Sequence, residues 1–131
     1  MLKSTIKIGI SALLVASLSQ TVYGENARSS KASWYSQESC RKEGTSGTYT
    51  ANGERFYDNG LTCAIRSRNW GRMYRVTNSA NGKTVIVRHN DFGPGKKATA
   101  RGVVIDLSPA AFEKIANKDL GVITVTVEVI Q

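Results

Sequence analysis

Apolar and polar residues alternate near the end of the chain, with Ile123, Val125, Val127 and Val129 on one side and Thr124, Thr126 and Glu128 on the other. A period of two describes a strand with one face in a core. Tyr74 to Thr77, Lys83 to His89 and Val103 to Leu107 are further short strand-like runs, parted by glycine and asparagine turns. The pattern predicts a small all-β sandwich or barrel. Asn81-Gly82, between the first two runs, is the preferred type I′ hairpin pair. Ser108 to Ala116 departs from this pattern, with a Ser cap, Pro109 at the first helical position, and Phe112, Ile115 and Ala116 on one helical face. That segment predicts a short helix packed on the barrel.

The N-terminal stretch has another character. Lys3 and Lys7 precede an apolar run from Ile8 to Leu18, and Thr21-Val22-Tyr23-Gly24 follows with small or β-branched residues. This is the pattern of a secretory signal peptide over 1–24. The run is too short for a comfortable membrane span, which needs about twenty apolar residues. Cleavage after Gly24 is expected to leave no transmembrane or lipid anchor. Residues 25–32 are small and polar and read as a flexible lead-in, and 33–131 as one domain. No repeat or second domain is visible.

A domain this small buries a modest fraction of its surface and gains from a staple. Cys40 and Cys63 are the chain's two cysteines, and in an exported protein they read as one disulfide, worth about 3 kcal/mol on the chain-entropy model. The alternative is two buried free thiols. The formal charge is +8, and losing Lys3 and Lys7 lowers it to +6. A basic exported domain favours anionic partners such as cell-wall polymers or lipid headgroups. Nucleic acid is disfavoured as a partner, because the basic residues are scattered and no binding motif accompanies them. One histidine and two cysteines cannot build an ordinary zinc site, so neither metal nor cofactor is expected.

Three acids mark candidate chemistry. Asp91 ends an apolar strand and opens the Phe92-Gly93-Pro94-Gly95 loop. Asp106 lies inside the apolar run Val103 to Leu107, where a carboxylate needs a partner or a purpose. Glu54 follows the turn-like Thr50-Ala51-Asn52-Gly53. Residues on strand ends and loops can converge on one site. Each also has a structural reading, Asp91 as a loop cap and Asp106 as a group beside a helix start.

The blocks Ala32-Ser33-Trp34-Tyr35-Ser36, Thr50-Ala51-Asn52-Gly53-Glu54, Leu61-Thr62-Cys63-Ala64, Arg75-Val76-Thr77-Asn78, Asn81-Gly82-Lys83, Val87 to Pro94 and Val104 to Ser108 stand in one order across the chain. In that order they resemble the rare lipoprotein A family of septal lytic transglycosylases. The resemblance implies a six-stranded double-psi β-barrel with one or two short helices, a fold shared with expansins and barwin-like proteins. It also implies a peptidoglycan substrate, cut between N-acetylmuramic acid and N-acetylglucosamine without water to leave 1,6-anhydromuramyl ends. The family's catalytic Asp maps onto Asp91, its supporting Glu onto Glu54, and the Asp of Ile-Asp-Leu-Ser onto Asp106. Asp91 would serve as acid and then base, with a pKa raised by burial or by Asp106. Ser33 and Tyr35 would orient the sugar.

Two departures from the family stand out. Its functional histidine is replaced by Ile65, and the lone His89, two residues before Asp91 and on the same side of the strand, could take its place, pair with Asp91 or simply pack. Cys40 and Cys63, with the insertion Cys40 to Ser46, would reshape one rim of the groove. Trp34 reads as core, and Trp70, in the polar run Arg66 to Arg72, as a glycan or partner contact. The leading expectation is an exported, monomeric lytic transglycosylase, periplasmic or secreted. A non-catalytic, expansin-like wall-binding or wall-loosening module is the alternative, and a scaffold-type interaction protein or inhibitor the third.

Overall fold

The computed structural model describes residues 30–45 and 47–131, so the expected signal peptide and most of the lead-in lie outside the described residues. Strands β1 (Ser30–Trp34), β2 (Thr62–Ala64), β3 (Met73–Asn78), β4 (Thr84–Asp91), β5 (Val103–Leu107) and β6 (Val122–Val129) close a barrel in the order β1-β5-β2-β4-β3-β6. β1 runs parallel to β5 and β2 parallel to β4, while the other neighbours are antiparallel. Closure leaves no open sheet edge. No helix among the described residues is long and apolar enough to cross a membrane.

Strand parity builds the core. Val85 and Val87 of β4, Val76 of β3, Ile105 and Leu107 of β5, and Ile123 and Val125 of β6 turn inward and pack with Phe112 and Ile115. The alternation expected in β6 holds through its first half, and Val129 then runs past the core and is exposed. Trp34 packs on the core edge, and its indole N–H donates to the Lys118 carbonyl at 3.0 Å.

β1 begins at Ser30, so Ser30 to Ala32 belong to a strand and not to a flexible lead-in. The reason is tertiary: Ala32 is fully buried, in register with Ile105 on one side and Ile123 on the other. Among the described residues there are three short α-helices where one or two were expected, α1 (Gln37–Lys42), α2 (Lys96–Ala100) and α3 (Pro109–Ile115), besides a 3-10 turn at Lys118–Leu120. The first two bury no residue and so carry no apolar period in the sequence. α1 is held by a reciprocal pair, with Ser36 and Ser39 each taking a backbone N–H of the other.

α3 is the expected helix, capped by the Ser108 hydroxyl on the Ala111 N–H. Asn78 and Asn81 both donate to the Ile115 carbonyl at its other end, satisfying an acceptor the helix leaves open. Asn81 is thereby fixed in a five-residue connection, residues 79–83, that is not a type I′ turn. Such a turn needs positive φ at both central residues, and only Gly82, at +74°, has it.

The expected Cys40–Cys63 disulfide is absent, and both thiols are free. Cys63 faces inward on β2 and is fully buried, whereas Cys40 sits on α1 at the surface cavity described next. Burial pushes the Cys63 thiol up to about 12.

Candidate active site

The topology that closes the barrel also places two acids. β2 lies between β4 and β5, and its last residue, Ala64, is in register with Asp91 on one side and Asp106 on the other. Neighbouring strands are about 4.8 Å apart, so the two aspartates stand on backbones roughly 10 Å apart with only a methyl group between them. Gly93 keeps the space open, since a Cβ there would lie 3.6 Å from both the Ala64 Cβ and Asp106 Oδ2. These residues, with Tyr35, Phe56 and Phe92, line a cavity of about 270 Å³. Its opposite rim is Cys40, Glu43, Thr45, Gly47 and Tyr49, from α1 and the insertion after it.

The two carboxyl groups differ in their surroundings. Asp91 accepts three hydrogen bonds, from the Tyr35 hydroxyl at 2.9 Å and from the Ala51 and Phe92 backbone N–H groups, each at 2.9 Å. Asp106 has one side-chain partner, the Ser33 hydroxyl. Burial raises its pKa, the Ser33 hydrogen bond lowers it, and the charges of Glu43 and Asp91 add to the rise. Burial thus biases Asp106 toward its protonated form. Tyr35 is stacked on Phe56 at 4.7 Å, and its phenol is pushed up by burial and by Asp91, so it stays a donor.

Ser33 and Tyr35, expected to orient a sugar, are thus brought to the site as partners of the two acids. Glu54 is not brought to it. β4 parity turns Asp91 toward the cavity and Arg88 and Asn90 to the other face, and Glu54 joins the latter pair. Its two oxygens take the Arg88 guanidinium at 2.5 and 2.6 Å, with Asn52 at 3.0 Å and Asn90 at 3.3 Å. The Arg88 bonds hold the Glu54 carboxyl down at about 2, so it is anionic and fully engaged. The turn 50–54 links both faces, because the Ala51 N–H reaches Asp91 while Glu54, beyond the positive-φ Gly53, reaches Arg88.

His89 does not meet the Asp91 carboxylate. Fully buried, its Nε2 lies 2.9 Å from the Asp91 carbonyl and 3.3 Å from that of Ile65, and its Nδ1 lies 3.2 Å from that of Asn69. It ties the 65–71 loop to the backbone that carries Asp91. Trp70 covers it, with ring centroids 4.9 Å apart, and lines no part of the cavity. Sequence reasoning missed the Ala51 and Phe92 amides and the spacer role of Ala64. The first two are backbone groups without a side-chain signal, and the third depends on strand order.

A closed six-stranded barrel with this mixed parallel and antiparallel strand order defines a double-psi β-barrel protein. The family model described as lytic transglycolase matches residues 27–127, and the chain belongs to that family. A probable endolytic peptidoglycan transglycosylase RlpA of Synechocystis sp. is 43% identical over 100 residues, covering 76% of this chain and 28% of that relative. The endolytic peptidoglycan transglycosylase RlpA of Rickettsia felis is 43% identical over 97 residues, covering 74% of this chain and 40% of the relative. The chain therefore spans well under half the length of these relatives. Among solved structures, the Streptomyces papain inhibitor aligns with a TM-score of 0.59 at 24% identity, over 79% of this chain and 94% of its own. The Clavibacter michiganensis expansin in complex with cellohexaose aligns with a TM-score of 0.57 at 20% identity, over 79% and 50%. These two likenesses concern the fold alone.

Proposed function

We propose that this chain is an exported endolytic transglycosylase of peptidoglycan, acting as a monomer in the periplasm or outside the cell, with Asp91 and Asp106 sharing the proton transfers. The observation that carries this is the pair itself, one carboxyl ringed by donors and the other biased by burial toward its acid form, on either side of Ala64. In the proposed step the Asp106 proton passes to the leaving glycosidic oxygen as the bond from C1 of N-acetylmuramic acid breaks. The C6 hydroxyl of the same sugar attacks C1, and its proton passes to Asp91. The bond lost and the bond gained are both C–O, no water enters, and the product ends in a 1,6-anhydro ring. The family expectation gives both transfers to Asp91, and the hydrogen bonds around the two groups favour the division. Ser33 and Tyr35 hold the acids in place, and Glu54 supports the cleft from behind through Arg88 and Asn90. The names of the similar peptidoglycan transglycosylases support the substrate.

The experiment is product analysis by mass spectrometry, on intact peptidoglycan and on peptide-stripped strands, for the wild type and for Asp91→Asn and Asp106→Asn. Anhydromuramyl ends from the wild type, lost at least a hundredfold in either variant, are expected. The second reading, a non-catalytic expansin-like module, is favoured by one feature, Ile65 where the family carries its histidine. It takes over if the protein binds both substrates and forms no new ends.

A further inference from the structure

His89 is the chain's one histidine and is fully buried in β4. Both of its ring nitrogens meet main-chain carbonyls. Nε2 stands 2.9 Å from the Asp91 oxygen and 3.3 Å from that of Ile65, and Nδ1 stands 3.2 Å from that of Asn69. A neutral imidazole has one N–H and one bare nitrogen, and only the N–H can bond to a carbonyl. With acceptors on both sides, either neutral tautomer sets a lone pair against a lone pair. The imidazolium has a proton on each nitrogen and satisfies both sides.

The groups around the ring neither bond to it nor carry an opposing charge into it. From β2, Cys63 is in register with His89, and burial pushes its thiol up to about 12, so it is neutral. From β3, Tyr74 presents its ring edge-on with centroids 6.3 Å apart, and the exposed Arg72 contributes only its carbonyl, to the His89 N–H at 2.9 Å. On the 65–71 loop, Trp70 covers the imidazole, Arg68 is exposed, and Arg66 turns to the Pro94 carbonyl at 2.8 Å. On β4 itself the Asp91 carboxylate is taken by Tyr35 and two amides, and Arg88 by Glu54. A buried charge is costly unless polar groups meet it, and here three carbonyl dipoles and the Trp70 ring do so.

Two of the three carbonyls belong to the 65–71 loop and the third to the strand end that carries Asp91. The loop grips that strand end elsewhere too: the Ile65 N–H donates to the Asp91 carbonyl at 3.1 Å, the Gly71 N–H to the His89 carbonyl at 2.8 Å, and the Arg66 guanidinium lies 5.2 Å over the Phe92 ring. We infer that His89 is a positioning residue for Asp91, and that it locks the 65–71 loop against this strand end while it carries a proton on both ring nitrogens. When one proton passes to water, the neutral ring has to release the carbonyls on one side, and the loop loosens from the segment that lines the cleft. The effect on turnover rests on the reading that Asp91 takes part in the reaction, whereas the state of the ring can be read whether or not glycan is cut.

The test is proton–nitrogen correlation NMR of the full chain from about pH 5 to 8, where an imidazole changes charge, with a lone histidine leaving no ambiguity of assignment. While the loop is closed, both ring nitrogens are expected at the common position of a charged ring. Any pH at which they separate is expected to move the Asn69 and Gly71 backbone amides and the Trp70 indole with the same midpoint, and to lower anhydromuramyl yield roughly tenfold. Equivalent nitrogens that persist throughout, with the loop signals in place, also agree with the inference. His89→Gln, whose one amide nitrogen cannot reach carbonyls on both sides, is expected to displace the loop signals at every pH and to abolish that fall in yield. Nitrogens that separate while the loop signals stay in place overturn the inference, as does a His89→Gln protein with wild-type loop signals and pH profile. Where His89→Gln does not fold, the wild-type titration decides alone. A wild type that forms no anhydromuramyl ends at any pH overturns the proposed function, and the NMR signals then decide the inference by themselves.

Discussion

At the residue scale the three acids separate by what surrounds them, and the separation has opposite consequences for stability. Asp106 has a raised pKa, so the folded state prefers its protonated form. Its contribution is fully favourable below the ordinary value of 3.8 and is lost as pH climbs through the higher folded value. Asp106→Asn, neutral at every pH, should therefore raise the melting temperature at pH 7, by about 4–8 °C for each ~1 kcal/mol relieved in a domain of this size, and abolish turnover. The gain should vanish below pH 3.8. An unchanged or lower melting temperature at pH 7 would mean that burial does not strain the carboxylate. Glu54 has the reverse sign, because its folded value near 2 lies below the ordinary 4.5. It stabilises above pH 4.5 and loses that contribution as pH falls toward 2. Glu54→Gln should cost no more than about 1 kcal/mol at pH 7, given how much of the pair faces water, with the difference from wild type closing in acid. Thermal melts across pH 2 to 8 check both. That Asp91 and Asp106 are candidates for one site was legible from acids set in apolar strands and from their motifs. The side that Glu54 takes was not, because a loop residue has no parity and its direction is set by the turn at Gly53.

Elements decide how far apart the two aspartates stand. β2 has only three residues, yet it separates β4 from β5, and Ala64 is the side chain between the acids. Ala64→Leu should fill the gap beside Gly93 at an overpacking cost of about 1–3 kcal/mol and reduce anhydromuramyl product at least tenfold, the barrel remaining closed by circular dichroism. Product yield equal to wild type would show that the substrate does not pass between the two residues. The same strand explains the cysteines: inward parity commits Cys63 to the core, and α1 holds Cys40 at the cavity rim. Two cysteines in an exported chain suggest a bridge on composition alone, but a bridge also needs both side chains to face each other. α1 and α2 escaped the sequence pattern because neither buries a residue, whereas the apolar face of α3 made it visible.

For the whole molecule, one helix plugs one barrel, and the site is an outcome of that packing. Phe112 and Ile115 are fully buried against strands that reach both acids. Phe112→Ala should cost about 3–5 kcal/mol, a large share of what a domain this small possesses. A fall in the urea midpoint large enough to leave the protein partly unfolded at 37 °C is expected, and a midpoint within error of wild type would contradict this assignment of the core. The sequence by itself determined the all-β class, the inward face of the first half of β6, helix α3 and the candidacy of Asp91 and Asp106, because periodicity, caps and acids in apolar runs are local properties. Only the tertiary structure decided that Ala64 separates the two acids, that backbone amides of Ala51 and Phe92 serve Asp91, that His89 clamps backbone and not carboxylate, and that Glu54 pairs with Arg88 on the other face of β4. Each of these depends on which strands become neighbours when the barrel closes, and strand order is a relation between distant segments that no local pattern encodes.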